Sequence, residues 1–296
     1  MSDQRRVGVV LALSAATLWG ISATVAADAF EVISPIDVAE TRSLITIAVL
    51  IPYALWRGKL NPKGEYFELA LLGTLIAVVN VAFYTALDRL GVGPGATIQF
   101  VGPLFVLAWM GLVQGRRVGS MVWPAAIGAV TGVAMITRAW ALSDLDLLGV
   151  SAGAIAAVTF AAYLLVGEHL ALKLDPVTVI TWGFIFSSIG WVIIRPLWNF
   201  PTDLPGVVWV QLVWIGIAAT ALPFLLELAA MQRVPSGIVG VIATAEPVIG
   251  AATAWIFLSQ SLTAIQVAGG LLVVVSIAAV QRWGLPKLEV PLEAGR

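Results

Sequence analysis

The sequence predicts an all-α polytopic membrane protein of ten transmembrane helices, arranged as two inverted five-helix repeats with both termini in the cytoplasm. Three observations carry that expectation. Of the 296 residues, 60% are hydrophobic and only 11% charged, with a mean hydropathy of +0.98, whereas a soluble domain carries about 25% charged residues. The apolar residues fall into ten runs, each near the ~20 residues that a helix needs to cross a bilayer. Finally, a proline-containing stretch of the first half returns in the second, with Pro103 and Pro247 standing 144 residues apart.

In chain order the runs lie at 7–29, 34–56, 66–88, 94–114, 119–139, 149–172, 176–198, 206–232, 235–258 and 263–283. The links at 57–62, 91–94, 144–146, 175–176, 200–206 and 234–237 are short and rich in Gly, Pro, Asn and Asp, the residues that supply turn geometry. The first run follows Arg5 and Arg6 like a signal peptide, but it is longer than a typical signal core and has a counterpart later in the chain, so it is expected to be a span. Cytoplasmic loops of membrane proteins are enriched in Lys and Arg. A cytoplasmic N-terminus puts twelve such residues inside, from Arg5 and Arg6 to Arg282, Lys287 and Arg296, and leaves Arg89, Arg138 and Arg195 outside.

The repeat divides the chain at 1–145 and 146–296, and the 90–103 stretch matches 234–247. Five spans per half is an odd number, so the second half starts from the opposite face of the membrane. Inverted repeats of this kind suit alternating access around a site near the bilayer midplane.

Composition also excludes function classes. The net charge is −1, and no basic stripe with interleaved aromatics suggests nucleic acid. The absence of Cys removes disulfides, thiolate metal sites and a Cys nucleophile. One His without a neighbouring ligand argues against a transition-metal centre. No phosphate-binding loop supports ATP drive, and no Ser-His or di-acid arrangement supports an intramembrane enzyme. The expectation is therefore no metal and no cofactor. The expected partners are a small-molecule substrate, protons and the lipid bilayer, in a monomer or homodimer.

The run at 237–258 is the one around which the others are expected to be arranged, because Glu246 and Pro247 stand side by side near its centre. A carboxylate at mid-membrane costs about 2.5–3.5 kcal/mol on insertion scales. Pro247 has no N–H, so the carbonyl of Ala243 loses its helical partner, as that of Gln99 does before Pro103. Freed carbonyls survive in lipid only beside protein or a wet cavity. Translated through the repeat, Gln99 and Glu246 are three residues apart and share a helix face. Asn80 and Tyr84 lie one turn apart in the third run. Thr220, Phe224 and Glu227 share a face of the eighth, where Pro223 adds a third expected break. Each polar residue alone could serve an interhelical hydrogen bond of about 1 kcal/mol or less; together they suggest one cavity. Trp19, Phe100, Phe160 and Tyr163 are candidate walls, and Arg42 is a candidate for a substrate carboxylate or a snorkelling charge. Glu168 and His169 are expected to be solvated at the end of the sixth run; Glu227, nearer the cytoplasmic end of the eighth, is a candidate either for the cavity or for solvent. The remaining Trp residues are expected at interfaces or facing lipid. With no ATP site, an intramembrane carboxyl group is the most economical coupling device, carrying a proton one way and releasing it when substrate binds. Glu246 is the first such group and Glu227 the second.

These features resemble the drug/metabolite transporter superfamily of the EamA type. Asn80 to Tyr84, Gln99 to Leu104, Thr220 to Glu227 with Arg233-Val234-Pro235, Glu246-Pro247, and Ile256 to Leu258 with Ser261 to Thr263 are similar to its threonine/homoserine exporter branch. The resemblance covers essentially the whole chain. It implies a substrate cavity between two halves, export of small amino acids, and proton exchange as the drive. Arg42, Asn80, Tyr84, Gln99, Glu227 and Glu246 match polar positions of that pattern. Gln99 stands where the branch often has Glu, Ser259-Gln260 where it often has Gly-Glu, and Glu40 has no counterpart. The alternatives are an exporter of aromatic amino acids or drug-like solutes, favoured by a cavity rich in Trp19, Phe100, Phe160 and Phe224, and a non-transporting membrane module, favoured by a sealed core.

Overall fold

A computed structural model describes residues 3–30, 32–90, 92–140, 146–196, 198, 200–257 and 261–283, with side chains for all of these except 23–30, 35, 92 and 93. Lys287, Arg296 and the Ser259-Gln260 pair lie outside the described residues, and the turns at 91–94 and 144–146 lie partly outside them.

Every regular element among the described residues is helical. The first half comprises α1 (Asp3–Phe30), α2 (Pro35–Trp56), α3 (Tyr66–Leu90), α4 (Val92–Gln99), α5 (Gly102–Leu112) and α6 (Val122–Ile136). The second comprises α7 (Leu147–Lys173), α8 (Pro176–Ile194), α9 (Gly206–Gly216), a π turn (Ile217–Ala221), α10 (Leu222–Met231), α11 (Ser236–Ala243), α12 (Ala245–Phe257) and α13 (Ala264–Trp283). Several starts are written in the sequence. Ser34, Asp146 and Asp175 cap α2, α7 and α8 by accepting the backbone N–H of Asp37 (3.2 Å), Gly149 (2.9 Å) and Val177 (3.0 Å). Pro35 and Pro176 occupy first-turn positions where a missing N–H is harmless.

Eight helical spans are long and apolar enough to cross a membrane, with α4–α5, α9–α10 and α11–α12 each counted as one. The other two expected spans fall on α1 and α6. α6 has only 15 residues, and α1 has 28 residues, with side chains described only as far as Ser22. The seventh run also ends earlier than expected, at Ile194, where Arg195 and Pro196 follow.

Two spans are interrupted, each three residues before a proline. In the first half the helix breaks at Phe100 and Val101; in the second it breaks at Thr244. Because Pro103 and Pro247 cannot donate to the preceding turn, the chain tightens there. Val101 N–H bonds Ile98 O (3.1 Å), Leu104 N–H bonds Val101 O (2.9 Å), and Thr244 N–H bonds Val241 O (3.2 Å). Pro223 behaves differently from the expected break. The turn before it widens into the π segment and the helix runs on, with the Thr220 hydroxyl donating to Ile215 O at 2.8 Å. A π turn leaves room for the proline ring and still satisfies most of the backbone.

Helices of the two halves interleave: α3 packs on α7 and α8, α1 on α10, α11 and α12, and α6 on α13. Small residues permit the close crossings, a common device where helices associate in lipid. A Cβ at Gly132 would lie 2.7 Å from the carbonyl of Gly269, and one at Gly20 would lie 2.7 Å from the carbonyl of Glu246 and 2.8 Å from Ile249 Cβ. α1 therefore rests directly on the first turn of α12. The core between these layers is built from Leu69, Leu72, Ile76, Leu107, Met110, Leu164 and Leu228. Most described Trp side chains are exposed or half-buried, whereas Trp191 is buried.

Candidate functional site

At the level of the two helix breaks the bundle holds a partly open cavity of about 100 Å³, lined by Trp19, Arg42, Val79, Asn80, Phe83, Gln99, Phe100, Phe160, Tyr163, Phe224, Ala243 and Glu246. The breaks position it. Gln99 ends α4 and Phe100 occupies the gap, while Ala243 ends α11 and Glu246 stands in the first turn of α12. α1 contributes Trp19, α2 contributes Arg42, α3 contributes Val79, Asn80 and Phe83, and α7 contributes Phe160 and Tyr163.

The walls are aromatic. Phe224 is the hub, meeting Trp19 (5.3 Å between centroids), Tyr163 (5.6 Å) and Phe184 (5.3 Å), each edge to face. That geometry aligns the positive ring edge with the negative ring face. Phe160 stacks on Tyr163 at 6.2 Å.

The polar groups are few and opposed in charge. Arg42 donates from Nη1 to the Tyr84 hydroxyl at 2.9 Å, and its Nε is buried without a hydrogen-bond partner. Gln99 Oε1 is likewise buried and unpartnered. Asn80 donates one amide N–H to Ile76 O (2.7 Å), which leaves its side-chain oxygen and second N–H to offer. Glu246 and Arg42 attract one another across the cavity. Among the described residues, however, neither belongs to an ion pair within 4.0 Å. A guanidinium and a carboxylate thus face one small volume without closing on each other.

Three expected site residues lie outside this lining. Tyr84 stands behind Arg42 and holds it. Thr220 is fully buried and bonds its own helix through the π turn. Glu227 is 1% exposed rather than solvated, and its Oε2 accepts the Tyr163 hydroxyl at 2.7 Å. It is one step removed from the cavity, behind a tyrosine that lines it. Val79, Phe83 and Ala243 are lining residues that the sequence reading missed. Asn80 offered a signal for Phe83, three residues on and so on the same face, and the carbonyl released by Pro247 offered one for Ala243.

A second polar cluster closes one end of the bundle. His169 is exposed, but Glu168 is only 4% exposed, against the expectation that both are solvated. Arg116 grips Glu168 with Nη1 at 3.0 and 3.2 Å and Nη2 at 3.0 Å. Glu168 also accepts the backbone N–H of Ser236 (3.2 Å) and a very short bond from the Ser236 hydroxyl. The carboxylate therefore fastens the start of α11 to α7 and to the link after α5.

A lined polar cavity at paired breaks in membrane-crossing helices is the architecture of a multi-pass membrane transporter. The chain belongs to the EamA-like transporter family, whose sequence model matches residues 6–138 and 147–281. It is similar to the threonine/homoserine exporter RhtA of Escherichia coli strain K12, 28% identical over 265 residues that cover 87% of this chain and 85% of that protein. The RhtA of Salmonella typhimurium strain LT2 is 29% identical over 231 residues, 76% and 73% of the two chains. The pseudopaline exporter CntI of Pseudomonas aeruginosa strain PAO1 is 24% identical over 284 residues, 95% and 98%. A solved crystal structure matches 92% of this chain and 96% of its own with a TM-score of 0.81 at 18% identity, a likeness of fold.

Proposed function

We propose that the protein is a secondary active exporter of small amino acids of the threonine or homoserine kind, or of closely related metabolites. It works in the inner membrane by proton exchange and alternating access. Ten spans in two inverted repeats, at 1–145 and 146–296, would place the cavity between the halves and both termini in the cytoplasm. The carrying observation is the pair of opposite, unclosed charges in one cavity. An amino acid is a zwitterion, and the arrangement offers Arg42 to its carboxylate and Glu246 to its ammonium, with Gln99 and Asn80 left for a side-chain hydroxyl. Volume supports a small substrate: about 100 Å³ is less than the engineered cavity of about 150 Å³ that accepts benzene. The similarity to threonine/homoserine exporters agrees with this reading.

A second reading follows from the walls, since Trp19, Phe83, Phe100, Phe160, Tyr163 and Phe224 all line the cavity. An aromatic amino acid or drug-like solute would suit them if the cavity widens during the cycle.

Counterflow in proteoliposomes separates the two. Vesicles preloaded with unlabelled threonine are expected to take up labelled threonine saturably, and phenylalanine preload is expected to support little uptake. The reverse preference would favour the bulky substrate, and silence with both would defeat amino-acid transport. Arg42→Gln removes a charge-assisted bond worth about 1.5–3 kcal/mol, so the KM for threonine should rise roughly 10–100-fold. The corresponding amine without a carboxylate, tested as a competitor, should lose little. An unchanged KM would remove Arg42 from the binding site.

A further inference from the structure

Two acids and one arginine meet at the start of α2, away from the cavity. Asp37 and Glu40 lie about one turn apart and are 5% and 0% exposed. Arg195, which ends α8, places Nη2 2.5 Å from Asp37 Oδ1 and Nε 3.7 Å from Glu40 Oε2. The sharing is unequal. Asp37 has the close contact and also accepts the Ser34 hydroxyl at 2.5 Å, whereas both oxygens of Glu40 are buried and accept no hydrogen bond.

Among the described residues, no other charge compensates Glu40. On α2, Arg42 faces the cavity and Tyr84. On α3, Asp88 is exposed and Arg89 pairs with Asp146 at 3.6 Å. The α8 helix, α9 and the π turn carry no ionisable side chain, and Asp203 in the following link is exposed. One positive charge against two negative ones leaves a surplus negative charge in a dry interior. An uncompensated buried ion costs several kcal/mol, far more than a neutral carboxylic acid. A metal ion does not suit the site, because the only cation ligands are two carboxylates already facing a guanidinium, and among the described residues no group of three or more acidic or His side chains is placed to hold one. A proton needs no volume and removes the surplus.

We propose that Glu40 is a second proton-binding site, distinct from the substrate cavity, closed to solvent in this conformation and loaded from the face of the membrane where α2 begins. Arg195 is committed to Asp37, so Glu40 holds the proton. When the contact at the end of α8 opens, Glu40 meets water and Arg195 together and releases it. Its part in coupling rests on the exporter reading; its occupancy by a proton does not.

Two measurements test this. Infrared spectra of the protein in lipid at pH 7 should show a protonated-carboxyl C=O band that is smaller in Glu40→Gln. The same loss is expected in Asp37→Asn, where Arg195 is freed to pair with Glu40 and keep it ionised. A band unchanged in Glu40→Gln overturns the proposal; should that variant fail to fold, a band unchanged in Asp37→Asn overturns it instead. In proteoliposomes, Glu40→Gln should keep counterflow at equal pH on the two sides. Its substrate accumulation should fall about tenfold for a pH difference of one unit, the effect of losing one coupled proton. Unchanged accumulation overturns the coupling role. If the wild type exchanges no amino acid at all, the exporter reading fails while the spectra still decide whether Glu40 carries a proton.

Discussion

Glu246→Ala is expected to abolish measurable threonine counterflow, with apparent affinity falling roughly 30-fold or more. The physical reason is the asymmetry of a desolvated charge pair. A substrate ammonium brought into a cavity walled by Trp19, Phe100, Phe160 and Phe224 gives up its water and needs a carboxylate in exchange. Truncating one partner of such a pair costs about 2–5 kcal/mol, and each 1.4 kcal/mol is roughly tenfold. Glu246→Gln keeps the shape and a hydrogen-bonding amide but cannot change charge. Residual exchange in that variant should lose the part of its response to an imposed pH gradient that Glu246 carries, about tenfold in accumulation per pH unit for one proton. Proton-driven accumulation in Glu246→Gln equal to that of the wild type would remove Glu246 from coupling. The two variants together separate binding from drive, because Ala loses both and Gln mainly tests the second.

The largest effect on stability is expected from Arg116→Ala. Glu168 is 4% exposed and depends on Arg116 for its countercharge. Removing the arginine strands an anion among α7, α11 and the link after α5, and breaking a buried pair in this way costs about 3–5 kcal/mol. Thermal unfolding in lipid nanodiscs should show a large drop in midpoint. The reverse change should be mild, because Arg116 is 27% exposed at its side chain and can turn to water. Glu168→Gln added to Arg116→Ala should recover most of the loss, since an amide can still bond Ser236 without a charge to compensate. A double variant no more stable than Arg116→Ala would mean that the arginine matters for packing alone.

What the sequence disclosed and what it hid divide along a physical line. Apolar runs, capping residues and proline positions are local, and they mark α2, α7, α8 and the two interrupted spans. Glu246, Gln99 and Asn80 stand out because a polar residue in an apolar run is conspicuous wherever it points. The hidden features depend on partners far along the chain. Glu168 read as a solvated helix end because nothing near it announces that Arg116, 52 residues earlier, reaches across to it. Which of its two readings holds for Glu227 is hidden for the same reason, with Tyr163 lying 64 residues away. Glu40 and Arg42, two residues apart on one helix, point to different faces, but that Glu40 competes with Asp37 for Arg195 is invisible in α2 alone. Phe83 and Val79 were hidden by resemblance to their surroundings, since an apolar wall of a cavity and an apolar face toward lipid have the same composition. Thr220 erred in the other direction, a polar residue absorbed by its own widened turn.

The absence of a side chain at Gly20 has a mechanical consequence. With α1 seated on the peptide carrying Glu246 and no Cβ between them, the two segments form a single strut, and Trp19 and Glu246 ride on it together. On the exporter reading proposed above, Trp19 and Glu246 are expected to keep their spacing, whereas Arg42 on α2 and Gln99 on α4 belong to other elements.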